Sequence, residues 1–166
     1  MSRVDTGFAA DHLLIFDVEP RPGVRTSEPI GDVGQRVREA LANTGGVVSA
    51  SWGSATPLGL DASRRGMTVD GYRAAPGEEM EHYFNVVGPN FFETMKIPIV
   101  RGRSFTAADR KGASRVAIVR GAFARRCWPG GEALGKRLTD RRGEGEMAEV
   151  VGVARDARFM SLCWEV

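Results

Sequence analysis

NVVGPNFFETMKIPIVRGRSFTAADRKGASRVAIVRGAFARRCWPGGEALGKRL, residues 85–138, is the stretch whose order of parts decides the fold. An alternating segment runs to Val87 and breaks at Gly88-Pro89, because proline has no N–H for a ladder and fixes its own φ. Phe91, Phe92 and Met95 then share one face of a short helix predicted over 90–95. Strands are predicted at 97–101 and 116–120, with a polar loop between them. A basic helix over 122–128 stops at Pro129, and Gly130-Gly131 turns the chain into a further strand at 136–139. Phe91, Phe92, Phe105, Phe123 and Trp128 are the expected core of this lobe.

Immediately before it, residues 82–87 alternate as a strand, with Tyr83, Asn85 and Val87 on one face and His82, Phe84 and Val86 on the other. Both faces carry apolar groups, so the strand should be covered. A strand at 67–72 precedes a turn at 74–79, and residues 57–65 form a Gly/Pro/Ser-bearing loop. Further towards the N-terminus, 13–19 is a strand candidate, and a helix starts near Gly31 or Asp32, with Asp32 as its cap. Val33, Val37, Ala40 and Leu41 fall on one stripe of that helix, which ends at 43–46. Residues 47–52 alternate as a strand, completing β-α-β. Beyond the central stretch, 148–154 is the last predicted strand. This order favours α+β over a regular parallel α/β sheet.

Composition bounds the function. At 166 residues the chain holds one ordinary domain, and 42% hydrophobic with 27% charged residues is globular. Twenty-one glycines predict many turns and short elements. A net charge of +2 gives no steering towards nucleic acid. Basic residues are mainly arginine, with lysine only at Lys96, Lys111 and Lys136. Cys127 and Cys163 show no metal or redox spacing and read as two free thiols. The apolar run at 13–16 is too short for a signal core or a spanning helix, so the chain as given is expected to be soluble.

No catalytic constellation stands out. Gly130 to Lys136 matches GxxxxGK, but Arg137 occupies the place of the magnesium-binding hydroxyl, and a strand rather than a helix follows. Ser51, Ser54 and Ser104 lack a nucleophile elbow, and His12 and His82 have no spacing that identifies a base. Glu78, Glu79 and Glu81 read as a solvated acidic face, and Asp109, Asp140 and Asp156 lack metal-loop spacing. No catalytic, cofactor-binding or metal residue is assigned, and no cofactor is expected. Arg101, Arg103, Arg110, Lys111, Arg125 and Arg126, near Phe105 and Trp128, form the one candidate binding surface. It defines the alternative reading, a stand-alone anion or nucleic-acid binding module.

Val86-Val87-Gly88-Pro89-Asn90-Phe91-Phe92-Glu93-Thr94-Met95 resembles an element of the MacB-like periplasmic core domain of ABC transporter permeases, especially the duplicated-permease branch of the FtsX/MacB superfamily. Ile97-Pro98 with Arg101-Gly102-Arg103-Ser104-Phe105 is similar to a second element of that family. Val116 to Val119, Ala124 to Gly130, Gly135 to Leu138 and Val150 to Asp156 resemble further elements in the same order. Arg120 and Cys127 depart from the family pattern, which has Asn and an aromatic there.

The resemblance implies one periplasmic core domain. Residues 1–66 would be a porter-like β-α-β half sheet, 67–145 a smaller inserted mixed lobe, and 146–166 a strand returning to the porter-like sheet. It implies a non-catalytic module on the periplasmic face of the bacterial inner membrane, attached to transmembrane helices of the same permease. The module would couple cytoplasmic ATP hydrolysis, by a separate or fused ATPase subunit, to substrate export or force transmission. A homodimer in the full transporter and no nucleic-acid partner are implied too. More sheet would follow residue 166, so the C-terminus reads as truncated. The half sheet at 13–52 is then expected to be less stable than the lobe at 85–138, with an edge prone to self-association.

Overall fold

The computed structural model describes residues 11–19, 28–55, 64–106, 108–110, 112–140, 147–157 and 162–164. Along the chain come helix α1 (Ile30–Ala42), strands β1 (Arg64–Val69) and β2 (Glu81–Val86), and the single turn α2 (Phe91–Thr94). Strands β3 (Ile99–Gly102) and β4 (Val116–Arg120), helix α3 (Gly121–Cys127), and strands β5 (Arg137–Asp140), β6 (Ala148–Ala154) and β7 (Leu162–Trp164) follow. The α+β class is as expected, and so are the elements of the mixed lobe, to within a few residues at their ends.

The sheet runs β3-β6-β4-β7-β2-β1-β5, and β5 pairs again with β6. Six strands therefore close a ring, and β3 lies beside β6 outside it. One edge of β6 holds β4, while the other is shared by β5 near Ala148 and β3 near Gly152. Pairings are antiparallel except β4 with β6 and β2 with β7. The three-residue β7 was not anticipated; it fills the gap between β2 and β4.

Alternation along β4 divides the interior. Ala117 and Val119 enter a cluster with Met67, Val69, Leu138, Ala148, Val150, Phe123 and Trp128. Val116 and Ile118 enter a second cluster with Phe91, Phe92, Met95, Ile97 and Phe105. All five aromatics expected in the core are buried. Each large side chain so buried contributes about 1.5–3 kcal/mol. In β6, Val150 and Val153 share the first cluster although three positions apart, which strict alternation forbids. A register shift where Ala117 faces Val150 and Ile118 faces Gly152 supplies the extra residue.

Glycine is required where β3 meets β6. Gly102 has φ +73°, and an added Cβ would lie 2.2 Å from the carbonyl oxygen of Val151. An added Cβ on Gly152 would lie 2.3 Å from the carbonyl oxygen of Arg103.

The N-terminal layer differs from expectation. Neither 13–19 nor 47–52 joins a ladder; the nearest approach is an isolated bridge between Gly53 and Val87. Leu13 packs against the second cluster, but Leu14 and Val48 are exposed. Alternation favours a strand only where a neighbour satisfies its N–H and C=O groups. Residues 148–154, expected to return to that half sheet, instead pair with β3, β4 and β5. Helix α1 forms as expected, yet no side chain caps it. Pro29 is at its N-cap, its carbonyl accepting from the N–H groups of Asp32 and Val33. Its C-terminus is held by Asn43 Nδ2 donating to the Glu39 carbonyl and Thr44 Oγ1 to that of Ala40, at 3.0 and 3.2 Å.

Trp52 fastens α1 to the sheet lobe. Its indole lies against both Gly34 of α1 and Gly88, so a Cβ at either would come within 2.3 Å of a ring atom. The hydroxyls of Ser49 and Thr94 meet at 2.7 Å, and Ser51 donates to the Gly88 carbonyl. Asn85, 2% exposed, accepts from the N–H of Ala55 at 2.9 Å and from Ser54 Oγ at 3.0 Å.

Candidate functional site

The basic surface is built from β3, the loop after it, and α3. These elements bring carboxylates to the arginines. Arg101 pairs with Glu132. Arg103 forks onto Asp109 at 2.6 and 2.8 Å, a two-pronged contact that suits the planar guanidinium. Arg125 reaches Asp156 at 2.8 Å, and Arg126 Nε donates to Glu78 at 3.0 Å. Arg110 is exposed, and Lys111 lies outside the described residues. Four of the six candidate cations are thus matched with an acid of this chain.

The acids have structural duties that their spacing did not reveal. Asp109, held low by the Arg103 guanidinium despite its burial, also accepts from the N–H of Thr106 at 2.7 Å. Burial pushes Asp156 up, but the N–H of Ala122 and Arg125 outweigh it and hold it low. It thereby takes a first-turn N–H of α3, which has no side-chain cap of its own.

Glu78 corrects the expectation of a solvated acidic face. Its side chain is only 19% exposed. It accepts from Tyr72 Oη at 2.5 Å, from Arg126, and from the N–H of Ala75 at 2.7 Å. These donors, Tyr72 foremost, lower its pKa to about 2, and the same carboxylate raises that of Tyr72. Glu79 does pair at the surface, with Arg64 at 2.5 Å. The Glu78 hub ties the β1–β2 connection to α3, and Trp128 Nε1 adds a bond to the Asp70 carbonyl at 2.8 Å.

The residues weighed for catalysis are not brought together. Ser54 donates to an amide oxygen and Ser51 to a carbonyl, neither of which is a base. His12 is exposed, whereas His82 is buried edge-on against Phe123. Cys127 is a free buried thiol whose pKa burial raises to about 11, so it is no nucleophile. The Gly130–Lys136 segment is a pair of turns leading into β5, with Gly135 N–H spent on the Val150 carbonyl. It follows a helix and precedes a strand, the reverse of a phosphate cradle. No cluster of His, Cys, Asp and Glu able to hold a metal occurs among the described residues. A shallow groove of about 440 Å³ runs along Phe92, Ile97, Pro98 and Ile99. The described residues here present a charge-compensated surface over a closed sheet.

That arrangement defines an α+β domain, with no assembled chemical centre among its described residues. The chain belongs to the MacB-like periplasmic core domain family, whose model matches residues 4–162. The solved periplasmic region of MacB from Actinobacillus actinomycetemcomitans is similar in fold, with TM-score 0.58 at 15% identity. The match covers 80% of this chain and 53% of that one. The extracellular domain of the noncanonic ABC-type transporter YknZ from Gram-positive bacteria aligns with TM-score 0.57 and 17% identity, over 80% of this chain and 62% of that one. The chain thus spans less than two thirds of either structure. No curated protein matches it. Among the described residues, no helix is long and apolar enough to cross a membrane.

Proposed function

We propose that this chain is the non-catalytic extracytoplasmic module of an ABC transporter permease, coupling cytoplasmic ATP hydrolysis to substrate export or force transmission. Membership of the MacB-like periplasmic core family over residues 4–162 carries the reading. In it, residues 1–66 are the porter-like part and 67–145 the inserted lobe, whose ladder also takes up 148–154. The partners are transmembrane helices of the same permease, a separate or fused ATPase, and a second copy of the module in the assembled transporter. Its location is the periplasmic face of the inner membrane. The closed sheet and paired surface charges support a rigid part that moves as a body rather than a site that turns over substrate.

The alternative, an anion or nucleic-acid binding module, needs cations free to displace counterions from phosphates. The pairing of Arg101, Arg103, Arg125 and Arg126 with acids argues against it. Two measurements test the proposal. Val48, fully exposed, is replaced by Cys in the membrane-embedded permease and treated with a membrane-impermeant maleimide in intact cells. Labelling from outside the inner membrane is expected; labelling only after the membrane is opened overturns the location. Calorimetry of the 166-residue chain with Mg-ATP is expected to show no heat of binding. Saturable micromolar binding would make it a nucleotide-binding protein instead.

A further inference from the structure

We infer that the contact between β2 and α3 is an acid-sensitive latch, held while the His82 imidazole is neutral and loosened when the ring takes a second proton. This goes beyond the transport reading and stands or falls separately from it. His82 is 7% exposed, and its ring meets that of Phe123 edge-on, centroids 4.9 Å apart at 88°. Its Nε2 is buried and has no hydrogen-bond partner among the described residues. A neutral ring meets that setting at the lower cost, since an unprotonated nitrogen forgoes one acceptor contact and buries no charge. An imidazolium there would hold a buried N–H⁺ with nothing to receive it.

The charged groups around the ring oppose the added proton. Arg126 of α3, Arg120 at the end of β4 and Arg64 of β1 are cations, and Glu78 is the one carboxylate among these influences. Glu78 is already engaged by Tyr72, Arg126 and the Ala75 N–H, so it is not free to turn to the ring. Cys127, also of α3, is a neutral thiol, and Arg65, directly across the β1–β2 pairing from His82, lies with its guanidinium over the Phe84 ring. Burial, then Arg126 and Arg120, accordingly hold the imidazole below its ordinary value of 6.5. The sign follows from linkage. The unfolded or loosened chain binds the proton more readily, so the contact is at full strength above that value and weakens as pH falls below it. Phe123, Cys127 and Trp128 all enter the first core cluster from α3 and the residue after it, so loosening there reaches the interior directly.

The chain has only two histidines, and His12 is exposed, which makes the test clean. Hydrogen exchange and thermal melting of the 166-residue protein are compared at pH 7.5 and 5.5 with His82→Phe, His82→Gln and His12→Gln. Acidification is expected to lower the protection factors, exchange being referred to the intrinsic amide rate at each pH, about tenfold in residues 81–86 and 121–127 of the wild type, and to lower its melting midpoint by about 3 °C more than in either His82 variant. His12→Gln should behave as wild type. Ring-proton NMR of the wild type gives an independent reading if both His82 variants fail to fold. His82 titrating at or above the ordinary histidine value, or an equal acid response in wild type and His82→Gln, overturns the latch.

Discussion

Residues 64–154 and residues 13–55 carry comparable alternating apolar segments, yet only the first set is knitted into a ladder. In the sheet lobe, β4 has a neighbour on each edge and a core on each face. In the N-terminal layer, Leu14, Phe16 and Val48 face solvent, and one indole set between two glycines joins α1 to the lobe. Pattern is therefore a statement about faces, whereas order depends on whether backbone partners arrive.

The sharpest way to break this contrast is to truncate one apolar side chain on each side. Leu138→Ala, at a fully buried position of β5, is expected to cost about 2–5 kcal/mol in chemical denaturation. Val48→Ala should change stability by less than about 0.5 kcal/mol. Equal costs would show that the layer is as tightly packed as the lobe.

Trp52→Ala sharpens the comparison at the joint between the two. It should raise hydrogen exchange in 30–42 about tenfold while leaving the β4 and β6 amides unchanged. Matching changes in both regions would mean that layer and lobe open as one unit. The smallest effect concerns acid. Because its neighbours hold Glu78 low, its contribution is present above about pH 4.5 and is lost as pH falls towards about 2. Glu78→Gln should flatten that part of the stability curve, with the change confined to the lobe; an unaltered acid limb removes the hub from the account.

Much of the lobe was legible in the sequence. The apolar run of 116–120 and the longer run of 148–154 became β4 and β6 at the expected residues, because continuous burial leaves an unambiguous mark. Phe91, Phe92 and Phe105 were legible as core for the same reason. Residues 162–164 were missed, since three residues bear no periodicity and their place depends on β2 and β4 both lying open. The candidate surface was readable as a set of arginines but not as a set of pairs. Arg101 and Glu132 are 31 positions apart and Arg126 and Glu78 are 48, so only the fold brings them together. Asp156 likewise looked idle until the fold set it over the first turn of α3.

Closure of the ladder bears on how the sheet would respond to a pull. An open sheet pulled at its margin unzips, each bond bearing the whole tension in turn. The ring from β6 through β4, β7, β2, β1 and β5 back to β6 has no such starting point, so several bonds must shear together before a strand of the ring leaves, whereas β3, outside it, keeps an open margin. A pull along β4 or β6 would meet the closed ring first, whereas the N-terminal layer hangs on the Trp52 indole and a few hydrogen bonds, at Ser49, Ser51 and Asn85.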